Sequence, residues 1–322
     1  MTQHVPTENE VLSYFEALSN WGRWGPDDEL GTLNLVTPAK RIAAAELVRV
    51  GTTVSCAWDV GGAPPADQPM GPPRRYMLAT GQGLADEHRV TAPGREGDRS
   101  AGAAEYIGLV YHGHTVTHVD GLSHIFWDGR MYNGKPAELV TTTFGATEHD
   151  ITALRHGVVT RGVLLDVAGA RGGDWLEPGE AVFPSDLEAA EEREGVRVDE
   201  GDVLLLRTGY GRKVRDEGPD EVARVGRAGW HAACLPWLHE RGVAMIACDT
   251  AQDAIPSGYA GLRNPIHAVG IVAMGLWLLD NCDLEALAQA CEGFGRWEFL
   301  FTLAPLRWVG ATGSPANPIA TF

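Results

Sequence analysis

Four of the eleven histidines in this chain fall within the thirteen residues 112–124. The middle of this stretch is rich in β-branched residues, which favour an extended backbone. In an extended segment, residues of the same parity share one face, so His114, His118 and Asp120 are expected to point together, along with His112. Two imidazoles and a carboxylate suit a divalent ion such as Zn²⁺ or Mn²⁺, with open positions for water and substrate. A lone histidine is usually an ordinary hydrogen-bonded side chain, but four beside an aspartate are harder to explain that way.

Two nearby side chains have roles that the spacing leaves open. His112 shares the face of the predicted ligands and competes with His114 for the first ligand position. The four-residue spacing to His118 favours His114, so His112 is predicted to contact the substrate or the ligands. Trp127 follows His124 closely and is a candidate wall of a substrate pocket, although most of the ten tryptophans are expected to pack in the core.

The elements that must position these residues follow from the apolar pattern. Continuous apolar runs at 162–167, 203–207 and 243–247 predict strands buried on both faces. Helices are predicted within 10–50, after residue 283, and from Ser185, where Glu188 would complete a capping box. The mixture predicts an α/β fold with covered sheets and an N-terminal helical extension.

No composition change marks a domain boundary after residue 105, so we predict one catalytic domain over 1–322. Residues 1–105 would form an N-terminal extension and 106–322 the metal-binding core. Residues 61–105 are rich in glycine, proline and charge. Segments of this length in compact domains are usually functional or disordered, and we predict a lid over the metal site, with disorder as the alternative.

The bulk composition limits the functional classes. Net charge is −17, from 26 basic and 43 acidic residues, which disfavours nucleic-acid and membrane-surface partners. The start lacks a signal-peptide pattern, and the longest apolar stretch, 268–279, is shorter than the ~20 residues that span a bilayer. Five scattered cysteines without a CxxC pair indicate reduced thiols. We therefore expect a soluble, cytoplasmic enzyme with a small-molecule substrate.

The histidine-rich stretch resembles the signature HxGTHxDxPxH of the cyclase-like metal-dependent amidohydrolases, which include bacterial kynurenine formamidase and isatin hydrolase. The matching positions are His114, Thr117, His118, Asp120 and His124. Val116 stands where the family has glycine, and Leu122 where it has proline. The resemblance runs from 20–25 to 313–318 and looks like the longer branch of the family, in which 120–124 is followed by 128–134.

This resemblance implies a mixed β/β/α swivelling-type fold and a homo-oligomer, a dimer or tetramer. It also implies that His114, His118 and Asp120 are metal ligands, and that His124 is the catalytic acid–base or a ligand to a second metal. Members with two metals add a later histidine and a glutamate. His267 fits the first position, but Asp280 replaces the glutamate with a shorter side chain, so we expect one tightly bound metal per chain.

The implied chemistry is hydrolysis of a C–N bond in an amide, lactam or formamide through a metal-activated water. His124 would move a proton to the leaving group, since imidazole titrates near neutral pH. The chain has no GxSxG motif for a serine-based route. The alternative is a metal-dependent cyclase or dehydratase, a lyase of natural-product metabolism. A third reading, a non-catalytic binding protein, is disfavoured because His124 is present.

Overall fold

A computed structural model describes residues 4–61, 71–82 and 100–322. The strands within these ranges are, in chain order, β1 (Thr53–Ser55), β2 (Arg74–Ala79), β3 (Ala104–Gly108), β4 (His118–Asp120), β5 (Val140–Thr141), β6 (Gly145–Ala146), β7 (Val158–Asp166), β8 (Ala181–Val182), β9 (Val203–Arg207), β10 (Gly229–Trp230), β11 (Met245–Cys248), β12 (Trp277–Asp280), β13 (Glu298–Leu303), β14 (Gly313–Pro315) and β15 (Ile319–Thr321). The α-helices are α1 (Glu8–Ala17), α2 (Pro38–Ala45), α3 (Val167–Ala170), α4 (Pro184–Glu194), α5 (Tyr210–Glu217), α6 (Val222–Val225), α7 (Cys234–Glu240) and α8 (Glu285–Phe294). A π-helix spans Ile266–Met274. Short 3₁₀ turns lie at Gly31–Leu35, Tyr132–Gly134, Ala137–Leu139 and Ile151–Leu154.

Nine strands of the described ranges form one mixed sheet in the order β1-β15-β13-β7-β9-β11-β12-β4-β14. The four central strands β7, β9, β11 and β12 run parallel. Antiparallel strands extend the sheet on both sides. The predicted α/β class is therefore confirmed, and the three apolar runs correspond to β7, β9 and β11. Every residue of β9 and β11 is buried, as expected for parallel strands covered on both faces.

Helix α4 begins two residues before the predicted start, because its N-cap is Phe183 rather than the predicted Ser185. Pro184 takes the first helical position, where its missing N–H and fixed φ cost nothing. Asp186 accepts a hydrogen bond from the backbone N–H of Phe183 at 2.8 Å. The acidic residue that caps this helix is thus Asp186 rather than the predicted Ser185 and Glu188 pair.

The N-terminal segment is attached to the π-helix. Asn20 donates a side-chain hydrogen bond to the carbonyl of Met274 at 2.8 Å, and its backbone N–H donates to Ala273. The indole N–H of Trp21 donates to the carbonyl of Val272 at 2.7 Å. These bonds satisfy carbonyls at the end of the π-helix that would otherwise lack partners. The described part of the extension therefore holds the end of the π-helix in place. The division of the chain at residue 105 stays a prediction.

Two parts of the predicted lid, 62–70 and 83–99, lie outside the described residues. The described parts contribute β2 and the first residues of β3, which pair as an antiparallel ribbon. All residues of β2 are exposed. The lid itself stays a prediction. No helix in the described ranges has the length and apolar character needed to cross a membrane.

Glu194, at the end of α4, is an acidic side chain that the fold encloses. One carboxylate oxygen accepts the backbone N–H of Asp166 at 2.9 Å, and the other has no hydrogen-bond partner. The side chain has 0% exposure. Burial raises the pKa of Glu194 to about 8, because the charged form loses its hydration.

We expect Glu194→Gln to become relatively more stable as pH rises. The pKa of Glu194 in the folded state lies above its ordinary value, so the folded chain keeps a proton that the unfolded chain has lost. This contribution is present at low pH and is lost as pH rises through about 8. The melting-temperature difference between variant and wild type should grow by ~2 °C or more from pH 5 to pH 9.

Glu188→Gln is the matched control, because Glu188 is exposed on the same helix. Its melting temperature should follow that of the wild type across the same pH range. Parallel curves for Glu194→Gln and the wild type would contradict the prediction.

Candidate metal centre

Strand β4 brings two of the predicted ligands to one place. His118 and Asp120 alternate with Val119, which is buried in the hydrophobic core. The two polar side chains therefore share the opposite face of the strand. On β12, Asp280 pairs with His118 in the antiparallel register. Side chains directly opposite each other on such strands lie within contact distance, so Asp280 reaches the same centre.

Asp120 lies at the middle of a ring of histidines. One carboxylate oxygen, Oδ1, is 2.8 Å from His112 Nδ1 and 3.3 Å from His118 Nε2. The other, Oδ2, is 3.5 Å from His267 Nε2 and 3.9 Å from His124 Nε2. The Asp120 side chain has 0% exposure. Three imidazoles from the stretch 112–124 and one from the distant His267 thus surround one buried carboxylate.

The imidazole nitrogens approach the Asp120 carboxylate without forming hydrogen bonds to it. Both carboxylate oxygens of Asp120 and Nδ1 of His112 are buried and have no hydrogen-bond partner within the described chain. A buried carboxylate without partners is costly. A divalent ion would supply the missing interaction, and the nitrogen and oxygen donors fit Zn²⁺ or Mn²⁺. Within the described residues, two sets of side chains have ligand atoms within 4.8 Å of one another: His112, Asp120, His124 and His118, Asp120, Asp280.

The histidines are oriented by hydrogen bonds on their far side. Nδ1 of His118 lies 2.8 Å from the carbonyl of Val116, so this nitrogen carries the proton and Nε2 faces Asp120. Nδ1 of His267 lies 2.5 Å from a carboxylate oxygen of Asp253. Such outer partners are typical of metal-binding histidines, because they fix the ring orientation and the tautomer.

Asp253 also holds the start of the π-helix. Its Oδ1 accepts the backbone N–H of Ile266 at 2.7 Å. Gln252, the preceding residue, donates to Oδ1 of Asp280 at 2.9 Å. His267 Nε2 lies 3.4 Å from Asp280 Oδ2, so the two residues predicted for a second metal or the site lining do line this centre. Sequence reasoning missed Gln252 and Asp253; their position a few residues beyond the buried run 243–247 was the available signal.

The charges of the centre depend on one another. Burial alone would raise the pKa of Asp120, but the surrounding histidines, His124 and His118 foremost, hold it well below its usual range. Burial lowers the pKa of His124 to about 4. The pKa of His267 is raised against the effect of burial by the neighbouring carboxylates, with Asp120 first. His124 is therefore a neutral imidazole near pH 7.

The predicted extended backbone over the whole stretch is wrong for residues 112–116, which form a turn. Gly113 has a φ of 146°, a conformation that L side chains rarely adopt, and the strand begins only at His118. The parity argument holds for His118 and Asp120 but not for His112 and His114. His112 nevertheless reaches Asp120 from this turn and stacks on His124, with ring centroids 3.7 Å apart.

His114 lies against a buried arginine. Its Nδ1 contacts Nη1 of Arg227, whose Nη2 donates to the carbonyl of Ala251 at 2.9 Å. Among the described residues, neither set of side chains that could hold a metal includes His114. Its role as a ligand stays a prediction. Arg227 was missed because nothing in its local sequence distinguishes it from the other basic residues.

The side chain of Trp127 packs against the N-terminal helix α1. Its ring stacks on Phe15 of α1, with centroids 4.6 Å apart and planes 11° apart. The contact ties the segment after His124 to the N-terminal helix. A contact between Trp127 and substrate stays a prediction.

Comparison with known proteins identifies the family. A family model described as "Putative cyclase" matches residues 63–252. The crystal structure of a protein described as a novel cyclase is 33% identical, with a TM-score of 0.84, over 96% of this chain and 99% of that chain. No curated protein matches the sequence.

Two more distant structures share the fold alone. Isatin hydrolase A from Ralstonia solanacearum is 22% identical, with a TM-score of 0.57, over 88% of this chain and 97% of that chain. A protein from Bacillus stearothermophilus, described as a predicted metal-dependent hydrolase, is 16% identical, with a TM-score of 0.53, over 84% and 98%. The match over more than half of the sequence, together with the 33% identical relative, establishes that this chain belongs to the cyclase family.

Proposed function

We propose that this chain is a metal-dependent hydrolase that cleaves a C–N bond of a small amide, lactam or formamide by means of an activated water. The observation that carries the proposal is the buried Asp120 carboxylate, whose two unpaired oxygens face imidazole nitrogens. One protein of the same fold is an isatin hydrolase, and another is described as a predicted metal-dependent hydrolase. Both descriptions are consistent with hydrolysis here.

The proposed ligands centre on His118 and Asp120. Asp280 and His267 approach them from β12 and the π-helix. The motif spacing proposes His114 as a further ligand, whereas the geometry favours His112. A divalent ion held there, Zn²⁺ or Mn²⁺, would lower the pKa of a water molecule and polarise a substrate carbonyl.

The proton transfers fall to His124. Its side chain is 23% exposed, so a substrate can reach it, and Nε2 faces the centre. Burial lowers its pKa to about 4, so the ring is neutral near pH 7 and weakly basic; the attacking water, made more acidic by the ion, would give its proton to this ring. The resulting imidazolium, next to the Asp120 carboxylate, can then donate that proton to the leaving nitrogen. Stacking on His112 holds the ring in one orientation.

We expect His118→Ala to lose its metal. His118 belongs to a possible ligand set and has its tautomer fixed by Val116, so removing it should weaken metal affinity at least ~10-fold. Inductively coupled plasma mass spectrometry on dialysed protein measures the content. The control is His156→Ala, because His156 is exposed. Full metal content in His118→Ala would refute the proposed site.

The same measurement on His112→Ala and His114→Ala separates the two candidate ligands. Metal loss in His112→Ala alone supports the arrangement around Asp120 in the structure. Loss in His114→Ala alone supports the motif spacing and would require His114 to leave Arg227 when metal binds.

We expect one tightly held metal per chain. Asp280 is one methylene shorter than the glutamate that completes a second site in the family resemblance, although it does reach the centre. The wild type should keep one equivalent after extensive dialysis, and Asp280→Glu is the variant that would gain a second. Two equivalents retained by the wild type would show the expectation to be wrong.

We expect His124→Gln to fold and to bind metal but to lose activity by ~10²-fold or more, the range for a lost general acid–base. Glutamine keeps the approximate size and polarity of the side chain but cannot carry the proton. Formanilide and isatin are suitable probe substrates, and thermal melts check the fold. His156→Ala again serves as the control. Activity equal to that of the wild type would remove His124 from the mechanism.

The description of the family model favours one competing function, a cyclase or dehydratase. Isotope labelling distinguishes the two. Hydrolysis in H₂¹⁸O places one ¹⁸O in the acid product, whereas cyclisation or dehydration places none there. Mass spectrometry of the product would therefore reject hydrolysis if turnover occurred without any label.

A further inference from the structure

A large groove lies beside the candidate metal centre. Its volume is about 660 Å³, and it runs between β3 and the chain segment that precedes and includes β14. Tyr106 and Leu109 contribute one wall, and Leu306 and Trp308 the other. Among the described residues that line it, none is charged. That is unusual for a chain with a net charge of −17.

The floor of the groove is also a wall of the metal centre. Tyr111 lines the groove, and its ring centroid lies 4.5 Å from that of His112 and 6.0 Å from that of His118. Its hydroxyl donates to the carbonyl of Gly313 at 2.8 Å. Gly313 approaches so closely that an added Cβ would lie 2.9 Å from Cε1 of His112. The Tyr111 side chain thus lies between a molecule in the groove and the histidines of the metal centre.

The groove residues are apolar and open to solvent. Exposed fractions are 69% for Trp308, 59% for Leu306 and 54% for Tyr106. Exposed apolar surface gathered in a concavity is typical of a ligand site. A charged group that packed against these walls would lose part of its hydration without gaining a charged partner among the described lining residues. The volume lies within the ~300–1,000 Å³ of pockets for drug-sized ligands.

We propose that this groove binds an uncharged, apolar substituent of the substrate, remote from the bond that reacts, and that Trp308 and Leu306 set the preference for it. The inference rests on the proposed function, which places the reacting bond at the metal centre. It names the substrate class as neutral amides with an extended alkyl or polycyclic group. A zwitterionic amino-acid group in the same position would find no counter-charge among the described residues that line the groove.

A series of formanilides tests the proposal. The 4-position carries hydrogen, ethyl, butyl or hexyl, and a 4-carboxyl compound supplies the charged case. In the wild type, kcat/KM should rise about fourfold per buried methylene, and the carboxyl compound should fall below the unsubstituted one. Trp308→Ser and Leu306→Ser should flatten this dependence. Ile42→Ser is the matched control, since Ile42 is 64% exposed and lies on α2, outside the groove.

A binding measurement separates failure of this inference from failure of the proposed function. The neutral fluorophore N-phenyl-1-naphthylamine is titrated into chelator-treated protein and then displaced with 4-hexylformanilide. Binding to the wild type and to Ile42→Ser, weakened at least ~10-fold in Trp308→Ser, supports the groove even if no formanilide is hydrolysed. Equal binding by the wild type, Ile42→Ser and Trp308→Ser, or no binding by the wild type, overturns it.

A second copy of the chain is the competing occupant of the same surface. Light scattering on the wild type and Trp308→Ser decides between the two. A lower molar mass in Trp308→Ser, with the chain-length dependence unchanged, would assign the surface to self-association and overturn the proposal. An unchanged mass with a flattened dependence supports it.

Discussion

The buried carboxylate of Asp120 is the group around which the candidate metal centre is built. It has 0% exposure, and neither oxygen has a hydrogen-bond partner within the described chain. An unpaired carboxylate at that depth would ordinarily become protonated, yet the surrounding histidines hold its pKa well below the usual range. The site therefore keeps a negative charge in place, with imidazole nitrogens around it. That arrangement is costly in the free chain and becomes favourable when a cation binds.

The fold brings together groups that are far apart in the sequence to build this centre. Strand β4 lies between β12 and β14, so His118 and Asp120 face Asp280 across the sheet. His267 comes from the π-helix, whose first turn is held by Asp253 and whose end is held by the N-terminal segment. π-Helical segments often occur at functional sites. Here the nine residues of the π-helix are all buried, which leaves little freedom for His267 to move.

Sequence patterns predicted correctly the features that depend on residues close together in the chain. The alternation of His118 and Asp120 around Val119 is a property of three consecutive residues, and it is confirmed. The parallel strands were visible as apolar runs because both faces of such strands are covered. The predicted start of helix α4 was wrong because Pro184 and Asp186 provide a better helix start than Ser185.

The remainder depends on contacts across long stretches of chain. Arg227 contacts His114, which lies 113 residues away in the sequence, and the local sequence around neither residue predicts this contact. The turn at 112–116 replaces the expected strand, since Gly113 allows a backbone conformation that β-branched neighbours alone would not suggest. The groove joins β3 to the segment before β14, about two hundred residues later. The groove could not be predicted from the sequence, because its apolar walls come from segments that only the fold brings together.

The central claim is that Asp120 and its histidines bind a divalent ion. Anomalous X-ray diffraction from crystals of the protein grown with Zn²⁺ or Mn²⁺ tests it most directly. We expect a single dominant anomalous peak ~2.0–2.2 Å from an oxygen of Asp120 and from Nε2 of His118. A map with no peak at Asp120, or with its dominant peak elsewhere in the chain, would contradict the account.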